Sequence, residues 1–331
     1  SLLALDYDKF EVIAVNDRSQ DKTGAIMEAL AAQFPQQLRV VHITELPSGW
    51  LGKTHAMWRA AENAGGEWLL FTDGDVFFRK DAVRRAVAYA KETAADHLVL
   101  FPSLIMKGLG EQVMLGFFQS MFALAHRPWK VADPNARDYL GVGAFNLIRR
   151  SAYEMIGTYQ ALRMEVLDDM KLGKAVKEHG LRQRSVFGRD LVRLRWVKGA
   201  LGVVNNLTKN LFALMEFRWE RGLGAALALA IFNLGVPIGV VFAPGAAKIG
   251  FAIAYAVIAG IYAGMSKRSE LSWLCFLFHP VAAALFIFAI LRSIAVTLHQ
   301  GGVVWRGTLY PLEQLRAMSA KELQANSELR P

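Results

Sequence analysis

The stretch Gly66–Phe78, with the sequence GEWLLFTDGDVFF, decides the fold of this chain. Its central part, Trp68–Thr72, is a short and nearly unbroken apolar run, which is typical of a strand buried on both faces of a parallel sheet. The run ends in two carboxylates, Asp73 and Asp75, with one glycine between them. Because residues i and i+2 of a strand share a face, we expect both carboxylates at the carboxyl edge of the sheet, where open α/β sheets bind their ligands.

The Asp73-Gly74-Asp75 segment allows two interpretations. Two hard oxygen donors at the edge of a sheet suit Mg²⁺ or Mn²⁺ that bridges a diphosphate. The same three residues are also favourable in a turn, so a solvated turn after the strand explains them as well. The stretch by itself leaves both interpretations open, and the remainder of the chain has to decide between them.

Short strands alternate with helices on both sides of this stretch. The predicted strands are 10–15, 39–43, 97–101 and 141–150, and the predicted helices are 21–34, 54–63 and 81–93. This alternation predicts a doubly wound, parallel sheet. Asp17 also follows a strand and is therefore expected at the same edge as Asp73 and Asp75. The glycines that lead the 141–150 segment permit the close approach of a ligand or of another backbone.

Two later segments carry charge in patterns that suit a site. Asp168 and Asp169 stand at the predicted start of a helix, where acidic side chains also have an ordinary stabilising role against the helix dipole. The segment 182–198 is rich in arginine and ends in Arg195-Trp196-Val197-Lys198. A solvated charged face explains the arginines better than it explains Trp196.

Long apolar runs dominate the chain after Gly224. Hydrophobic residues make up 53% of the 331 residues, and the runs 225–243, 247–265 and 272–298 stand out. The first two have about the 20 residues that a spanning helix needs. The third is longer and carries His279-Pro280 near its start, so we expect it to be kinked, tilted or re-entrant.

Two amphipathic segments are candidates for a place in the membrane interface, although the protein core explains the first equally well. Both have apolar side chains at helical spacing, namely Met114, Phe117, Phe118, Met121 and Phe122 in the first and Val204, Leu207, Leu211 and Leu214 in the second. Together they would form a collar at the membrane surface, where a lipid presents its hydroxyl group without leaving the bilayer.

The net charge, the cysteine count and the amino-terminal residues limit which partners and covalent links we expect. The net charge is +9, which is compatible with nucleic acid, anionic lipid or phosphate-bearing substrates. No nucleic-acid-binding module accompanies this charge, so membrane lipid is favoured over nucleic acid as a partner.

Cys275 is the one cysteine, which excludes an internal disulfide framework. Residues 1–7 resemble the end of a helix and contain no initiator Met, so we expect a truncated amino end.

Five motifs occur in the order seen in family 2 glycosyltransferases, and the chain resembles that family from Phe10 to Pro311. They are Val15-Asn16-Asp17-Arg18-Ser19, Gly49-Trp50-Leu51-Gly52-Lys53, Phe71-Thr72-Asp73-Gly74-Asp75, Asp168-Asp169 and Arg195-Trp196. More narrowly, the chain is similar to the membrane-bound, lipid-glycosylating branch that includes ceramide glucosyltransferase-like and hopanoid- or carotenoid-associated enzymes. The resemblance implies a GT-A-like α/β catalytic domain, Rossmann-like with a mostly parallel sheet, followed by interfacial and transmembrane helices. The family's first strand is absent, as expected for a truncated chain.

The resemblance implies roles for the residues on the donor side. Asp17 is expected to contact the base or ribose of the nucleotide, and Lys53 is expected near the nucleotide. Asp75 is the expected direct ligand of Mg²⁺ or Mn²⁺, while Asp73 contacts the ribose or the metal.

The resemblance also implies roles on the acceptor side. Asp169 is the expected general base, and Asp168 takes the place of the family's Glu. Arg195 and Trp196 are expected to close on the diphosphate and the acceptor. The family has Gln or Arg three residues before this Arg-Trp pair, where the present chain has Val192.

These roles imply an inverting glycosyltransferase, because one base and direct attack invert the anomeric carbon. The donor is expected to be a nucleotide-sugar such as a UDP-sugar, and the acceptor is the hydroxyl group of a membrane lipid. A polyprenyl-phosphate glycosyltransferase is an alternative, although its anionic acceptor needs little help from an acid pair. A processive polysaccharide synthase is disfavoured by the small number of spans. A non-catalytic assembly subunit is disfavoured by the intact acids.

The expected domains are a catalytic domain at 1–199, an interfacial segment at 200–224, a transmembrane region at 225–298 and a tail at 299–331 that contains WRGTLYP. The catalytic domain is expected on the cytoplasmic side of a multi-pass cell-membrane protein, where nucleotide sugars are made. Lys267-Arg268 then fits a cytoplasmic loop under the positive-inside rule. Three full spans would leave the tail on the far side. A re-entrant third run, which we favour, would return the tail to the cytoplasmic face to line the acceptor entrance.

Overall fold

The structure is a computed structural model that describes residues 1–267 and 269–317. The strands are β1 (Val12–Asp17), β2 (Leu38–Ile43), β3 (Trp68–Phe71), β4 (Val76–Phe78), β5 (His97–Phe101), β6 (Ser103–Leu104), β7 (Asn146–Arg149), β8 (Gln183–Phe187), β9 (Val192–Leu194), β10 (Gly302–Trp305) and β11 (Thr308–Pro311).

The α-helices are α1 (Thr23–Gln33), α2 (Gly52–Asn63), α3 (Ala82–Glu92), α4 (Leu109–His126), α5 (Arg150–Met155), α6 (Thr158–Ala161), α7 (Asp168–Glu178), α8 (Gly199–Thr208), α9 (Leu211–Leu214), α10 (Trp219–Leu229), α11 (Gly235–Phe242), α12 (Gly245–Ser266) and α13 (His279–Gln300).

The chain divides into two compact units. The first unit comprises Ser1–Ser103 and His126–Leu194. The second unit comprises Leu104–Ala125 and the chain from Arg195 onward.

The strands of the first unit form mixed sheets. β1 and β2 pair in parallel, and the largest sheet has the order β3-β7-β5-β8. In that sheet β5 and β8 are parallel, whereas β7 runs antiparallel to both β3 and β5. The sheet is therefore less parallel than the sequence predicted. The reason is that β7 reaches its place from the glycine-led 141–145 segment, and not through a βα crossover that would return the chain in the same direction.

An aromatic core supports the end of β3. The ring of Phe71 lies 5.0 Å from that of Tyr159, edge to face, and 5.4 Å from that of Tyr153. The phenol oxygen of Tyr153 accepts a hydrogen bond from the backbone N–H of Tyr159, with a length of 3.0 Å. Aromatic pairs of this kind contribute about 0.5–1.5 kcal/mol beyond the area that they bury. They fix Phe71, and so the position of Asp73 two residues later.

The first half of α4 belongs to the core of the second unit. Met114 and Phe117 are fully buried, and the ring of Phe117 lies 5.1 Å from that of His279 and 5.4 Å from that of Phe286. The remaining members of the expected collar on this helix are half-buried, namely Phe118, Met121 and Phe122. The core interpretation is therefore correct for the first half of α4, and the collar is wrong for Met114 and Phe117.

The second amphipathic segment is also a core element for most of its length. Val204, Leu207 and Leu211 are buried, whereas Leu214 is exposed. α8 and α9 pack on α13, where the backbone N–H of Phe212 donates to a buried serine hydroxyl at 3.0 Å. A collar is therefore wrong for Val204, Leu207 and Leu211, which are buried in the protein, whereas Leu214 is exposed.

Three helical stretches in the described residues are long and apolar enough to cross a membrane: Trp219–Phe242, Gly245–Ser266 and Trp273–Gln300. They confirm the three predicted runs, with slightly different ends. The third begins as a 3₁₀-helix and continues without reversal as α13. Pro280 lies in the first turn of α13, where its missing N–H is not needed, so the helix does not break there.

The end of α13 nevertheless lies beside the start of the first stretch, because a Cβ atom on Gly222 would lie 2.5 Å from the Ile294 side chain. Trp305, after α13, lies with its ring 4.2 Å from the ammonium group of Lys209, which precedes the first stretch. The third run therefore ends on the side where the first run begins, which favours the re-entrant form.

Three polar side chains meet among these apolar helices. His279 Nε2 lies 3.1 Å from Asn233 Oδ1, and Tyr262 Oη lies 3.3 Å from His279 Nδ1. All three residues are buried, and Asn233 sits in a π-helical turn at Ala230–Leu234. A buried polar group without a partner costs about 1–3 kcal/mol, so these residues stabilise one another.

The WRGTLYP segment forms most of a β-hairpin. β10 and β11 are antiparallel and are joined by Arg306 and Gly307, whose φ angles are 49° and 79°. Two positive φ angles are what a two-residue type I′ turn requires. The tail from Met318, and Arg268 of the predicted Lys267-Arg268 loop, lie outside the described residues.

Candidate active site

The acidic turn after β3 is held by the segment that precedes β7. The backbone N–H of Asp73 donates to the carbonyl of Gly143 at 3.0 Å, and the hydroxyl of Thr72 donates to the carbonyl of Ala144 at 2.9 Å. Asp73 is half-buried, while Asp75 is exposed at the start of β4. The two carboxylates of the motif therefore occupy different environments.

Lys53 links two of the predicted acidic motifs. It is the second residue of α2, and its Nζ lies 3.2 Å from Asp73 Oδ1 and 3.1 Å from Asp168 Oδ1. Asp168 is only 3% exposed, whereas Asp73 keeps access to solvent. The structure thus brings together Lys53, Asp73 and Asp168, which are far apart in the sequence.

Asp169 is fixed by two backbone donors at the start of α7. Its Oδ2 accepts from the N–H of Gly143 at 2.8 Å, and its Oδ1 accepts from the N–H of Met170 at 2.7 Å. A Cβ atom on Gly141 would lie 1.6 Å from the backbone oxygen of Asp169, and one on Gly143 would lie 2.6 Å from Asp73 Oδ2. The predicted close approach at these glycines is confirmed, and both a backbone and a carboxylate make it.

Burial and charge shift the protonation of this cluster. Burial raises the pKa of Asp168 to about 6, with Lys53 opposing the shift and the neighbouring carboxylates reinforcing it. Burial also raises the pKa of Asp169, against the opposing effect of Lys53. Burial alone would lower the pKa of Lys53, but Asp168, Asp73 and Asp169 outweigh it and hold that pKa above its usual value. The lysine therefore stays charged, and the buried acids bind protons more readily than ordinary aspartates.

Asp17 ends β1 next to an aromatic group. Its carboxylate pairs with Arg18, with an Nε–Oδ1 distance of 2.8 Å. Trp50 stacks on Trp58 with ring centroids 5.0 Å apart, and the ring of His55 lies 5.3 Å from that of Trp50. Burial lowers the pKa of His55, and Asp17 is close enough to raise it in part. This group was not predicted, although Trp50 just before α2 and His55 and Trp58 within it lie within nine residues of one another.

Arg195 and Trp196 belong to the second unit. Arg195 Nη2 donates to Glu111 Oε1 at 2.6 Å, and the Trp196 ring lies 5.0 Å from that of Phe118. Glu111 was not predicted either; its signal is a single acidic residue at the start of a mostly apolar helix.

The carboxylates of the site suit a metal ion that binds together with substrate phosphates. Among the described residues, no group of three or more His, Cys, Asp or Glu side chains is placed to hold a metal ion. Mg²⁺, however, is commonly bound by one or two carboxylates together with substrate phosphates and water. Asp73 is paired with Lys53, whereas Asp75 is exposed and has no ion pair within the described part of the chain. Asp75 is therefore the carboxylate that fits such a metal.

Comparison with known proteins gives a family and several partial relatives. The family model described as Glycosyl transferase family 2 matches residues 1–169. A beta-monoglucosyldiacylglycerol synthase of Synechocystis sp. is 39% identical over 184 residues, which are 52% of this chain and 35% of the relative. A poly(ribitol-phosphate) beta-N-acetylglucosaminyltransferase of Staphylococcus aureus is 35% identical over 124 residues, 37% of this chain and 20% of the relative. The chain thus spans about a third or less of the length of these curated relatives.

A solved structure shares the fold. A mannosyltransferase from Pyrobaculum calidifontis, solved in complex with GDP-Man and Mn²⁺, superposes with a TM-score of 0.50 at 17% identity. The match covers 88% of this chain and 80% of that one. The likeness is one of fold and supports the GT-A-like class.

Proposed function

Because the chain belongs to glycosyltransferase family 2, we propose that it moves a sugar from a nucleotide-diphosphate donor, a UDP-sugar, to the hydroxyl group of a membrane lipid. The observation that carries the proposal is the cluster of Lys53, Asp73, Asp168 and Asp169 around the Gly141–Gly143 backbone. The cluster combines the acidic motif proposed to bind the donor with the half-buried carboxylate of Asp169, which is proposed to act on the acceptor.

Asp75, Asp73 and Asp17 serve the donor in this proposal. Asp75 would hold a divalent ion, Mg²⁺ or Mn²⁺, and the ion would neutralise charge on the leaving diphosphate. Asp73, which pairs with Lys53, would contact the ribose or the ion. Asp17 contacts the nucleoside beside the Trp50 and Trp58 rings. Lys53 lies near the nucleotide in this proposal, and it acts by holding the carboxylates of Asp73 and Asp168 in place.

Asp169 is the general base. It takes the proton of the acceptor hydroxyl as the hydroxyl oxygen bonds to the anomeric carbon. The bond from that carbon to the diphosphate breaks, and its electron pair leaves with the nucleoside diphosphate, so the configuration inverts. The raised pKa of Asp169 supports this role, because a base is most effective when its pKa lies closer to the working pH. Arg195 stabilises the leaving diphosphate, and Trp196 contacts the acceptor.

A lipid acceptor is supported by the three candidate spans and by the similarity to a glycosyldiacylglycerol synthase. The protein is then a multi-pass membrane protein with its first unit on the cytoplasmic side, where nucleotide sugars are made. The Trp305 ring of the β10–β11 hairpin lies 4.2 Å from the ammonium group of Lys209, which precedes the first candidate span. In this proposal the hairpin is therefore on the cytoplasmic side, where it is available to line the entrance for the acceptor.

A transfer assay tests the proposal. Membranes containing the chain are incubated with one radiolabelled donor at a time (UDP-glucose, UDP-galactose, UDP-N-acetylglucosamine or GDP-mannose), and the lipid extract is counted. We expect one of the UDP-sugars to label the lipid. Asp169→Asn should lose about 10²–10⁴-fold in rate, whereas Asp8→Asn, on the exposed amino-terminal segment, should match the parent chain. Label that reaches only water-soluble polymer, or an Asp169→Asn variant with full activity, would contradict the proposal.

A further inference from the structure

Glu111 is a buried acid in the first turn of α4 that the proposed mechanism does not use. It is 3% exposed, and its Oε1 accepts from Arg195 Nη2 at 2.6 Å and from the N–H of Gly199 at 3.0 Å. Its Oε2 accepts from the N–H of Lys107 at 2.8 Å. The hydrogen bond from Arg195 lowers the pKa of Glu111 to about 2, so the carboxylate is charged at neutral pH. Charge-assisted hydrogen bonds of this kind are short and strong.

One oxygen of Glu111 fixes both ends of the loop that carries Trp196. Arg195 lies just after β9, and Gly199 begins α8 with a φ angle of +72°. The neighbouring Gly110 packs against Ala200, because a Cβ atom there would lie 3.3 Å from the Ala200 side chain. The loop from Arg195 to Gly199 is therefore held against the first turn of α4 by hydrogen bonds and by packing.

Arg195 still has donors to offer after pairing with Glu111. A guanidinium group has five N–H donors in a fixed planar fork. Glu111 engages Nη2, and the Arg195 side chain remains 28% exposed. Within the described residues Nη1 has no hydrogen-bond partner, whereas Nε is buried. The orientation that Glu111 imposes thus leaves the Nη1 end of the fork available to a phosphate group.

We propose that Glu111 is a positioning residue for sugar transfer, because it orients the guanidinium of Arg195 and the loop of Trp196 for the leaving diphosphate. The inference rests on the proposed function. A purely structural role would make Arg195 only the counter-ion of a buried acid, and the two roles differ in their kinetic consequences. An orienting residue acts through Arg195, so its loss matters only while Arg195 is present.

A double-mutant cycle distinguishes the two roles. The rate of lipid labelling is measured for the parent chain, Glu111→Gln, Arg195→Gln and the double variant, in detergent and with the donor that labels lipid. Glu111→Gln keeps the size and one acceptor oxygen but removes the charge. We expect its kcat to fall at least tenfold with a much smaller change in KM for the donor. In the Arg195→Gln background the same change should lower kcat by less than twofold.

The matched control is Glu216→Gln, which removes another Glu–Arg pair of the second unit, that with Arg221. It should stay within twofold of the parent chain. Equal losses from Glu111→Gln in both backgrounds, or an unchanged kcat with a lowered melting temperature, would overturn the inference. If Glu111→Gln does not fold, Glu111→Asp keeps the charge and shortens its reach, and it should lower kcat while remaining folded. A parent chain that transfers no sugar would overturn the proposed function itself, which is a different result.

Discussion

The ammonium group of Lys53 lies 3.1 Å from a carboxylate oxygen of Asp168 whose side chain is almost fully buried. The pair joins the start of α2 to the start of α7. The GWLGK motif ends in the first two residues of α2, and the Asp168-Asp169 motif begins α7. Removing one partner of such a pair leaves the other charge buried and uncompensated. The stability of the first unit and the chemistry of its acids are therefore linked through one lysine.

Replacing Lys53 with Met should destabilise the protein. A broken buried pair costs about 3–5 kcal/mol, and the access of Lys53 to solvent places the expected loss at the lower end of that range. Thermal unfolding in detergent, followed by tryptophan fluorescence, measures the change. Adding Asp168→Asn should restore part of the lost stability, because it removes the stranded charge. Arg59→Met, which removes an exposed pair with Glu62 on the same helix, should cost less than about 0.5 kcal/mol. Equal losses at Lys53 and Arg59 would refute the buried pair.

Asp168 should give the stability a distinctive pH dependence. Its pKa is raised to about 6 in the folded chain, above the ordinary value of about 3.9 expected after unfolding. The folded state therefore binds this proton more tightly, and its contribution is complete below the unfolded pKa and is lost as pH rises through about 6. We expect a downward contribution to the melting temperature between about pH 4 and pH 6. Asp168→Asn should flatten this part of the curve. Identical curves for both proteins would show that Asp168 does not titrate there.

Asp75→Asn should abolish the effect of a divalent ion on donor binding, because it removes the exposed charge proposed to hold the ion. Isothermal titration calorimetry with UDP, with and without Mn²⁺, measures the difference. In the parent chain Mn²⁺ should raise the affinity for UDP, and in the variant it should not. Asp8→Asn is again the control and should behave as the parent. Metal-dependent affinity retained in Asp75→Asn would mean that another group binds the ion.

Gly141→Ala should prevent the native approach of α7. The added Cβ atom would meet the backbone oxygen of Asp169 at 1.6 Å, and backbone atoms cannot yield as a flexible side chain does. We expect a strongly lowered melting temperature or no folded protein. Gly108→Ala adds the same methyl group where nothing lies within 4 Å and should be nearly neutral. A well-folded, fully active Gly141→Ala variant would contradict the described packing.

The side of the membrane reached by the β10–β11 hairpin can be measured by thiol labelling. In the proposed topology the exposed Arg306 is on the cytoplasmic side, because the neighbouring Trp305 lies against Lys209, which precedes the first candidate span. Arg306→Cys should therefore react with a membrane-impermeant maleimide only after the cells are opened. The parent chain should not react, because its single Cys275 is buried. Labelling of Arg306→Cys in intact cells would mean that the third run crosses the membrane completely.

Local patterns allowed part of the site to be predicted. The apolar run before Asp73 and the acidic start of α7 are local signals, and both elements are present where they were expected. The pairing of Lys53 with Asp168 and that of Glu111 with Arg195 depend on segments far apart in the chain. No local pattern identifies which charges will meet, so these contacts could not be predicted.

The collar fails for a related physical reason. Apolar residues at helical spacing look the same on a core helix and on an interfacial helix. What decides the case for Phe117 is its contact with His279, a residue of the third apolar helix. The antiparallel direction of β7 is similarly invisible in its own sequence, because it depends on how the chain arrives there.

If the three apolar stretches cross a membrane, as we propose, the hydrogen bonds among Asn233, Tyr262 and His279 affect the order in which this region can assemble. His279 bonds to both of the others and leaves the ribosome last. Until it arrives, Asn233 and Tyr262 enter the lipid without their shared partner, and polar side chains are costly in that setting. The first two helices should therefore stay near the insertion machinery until the third is synthesised.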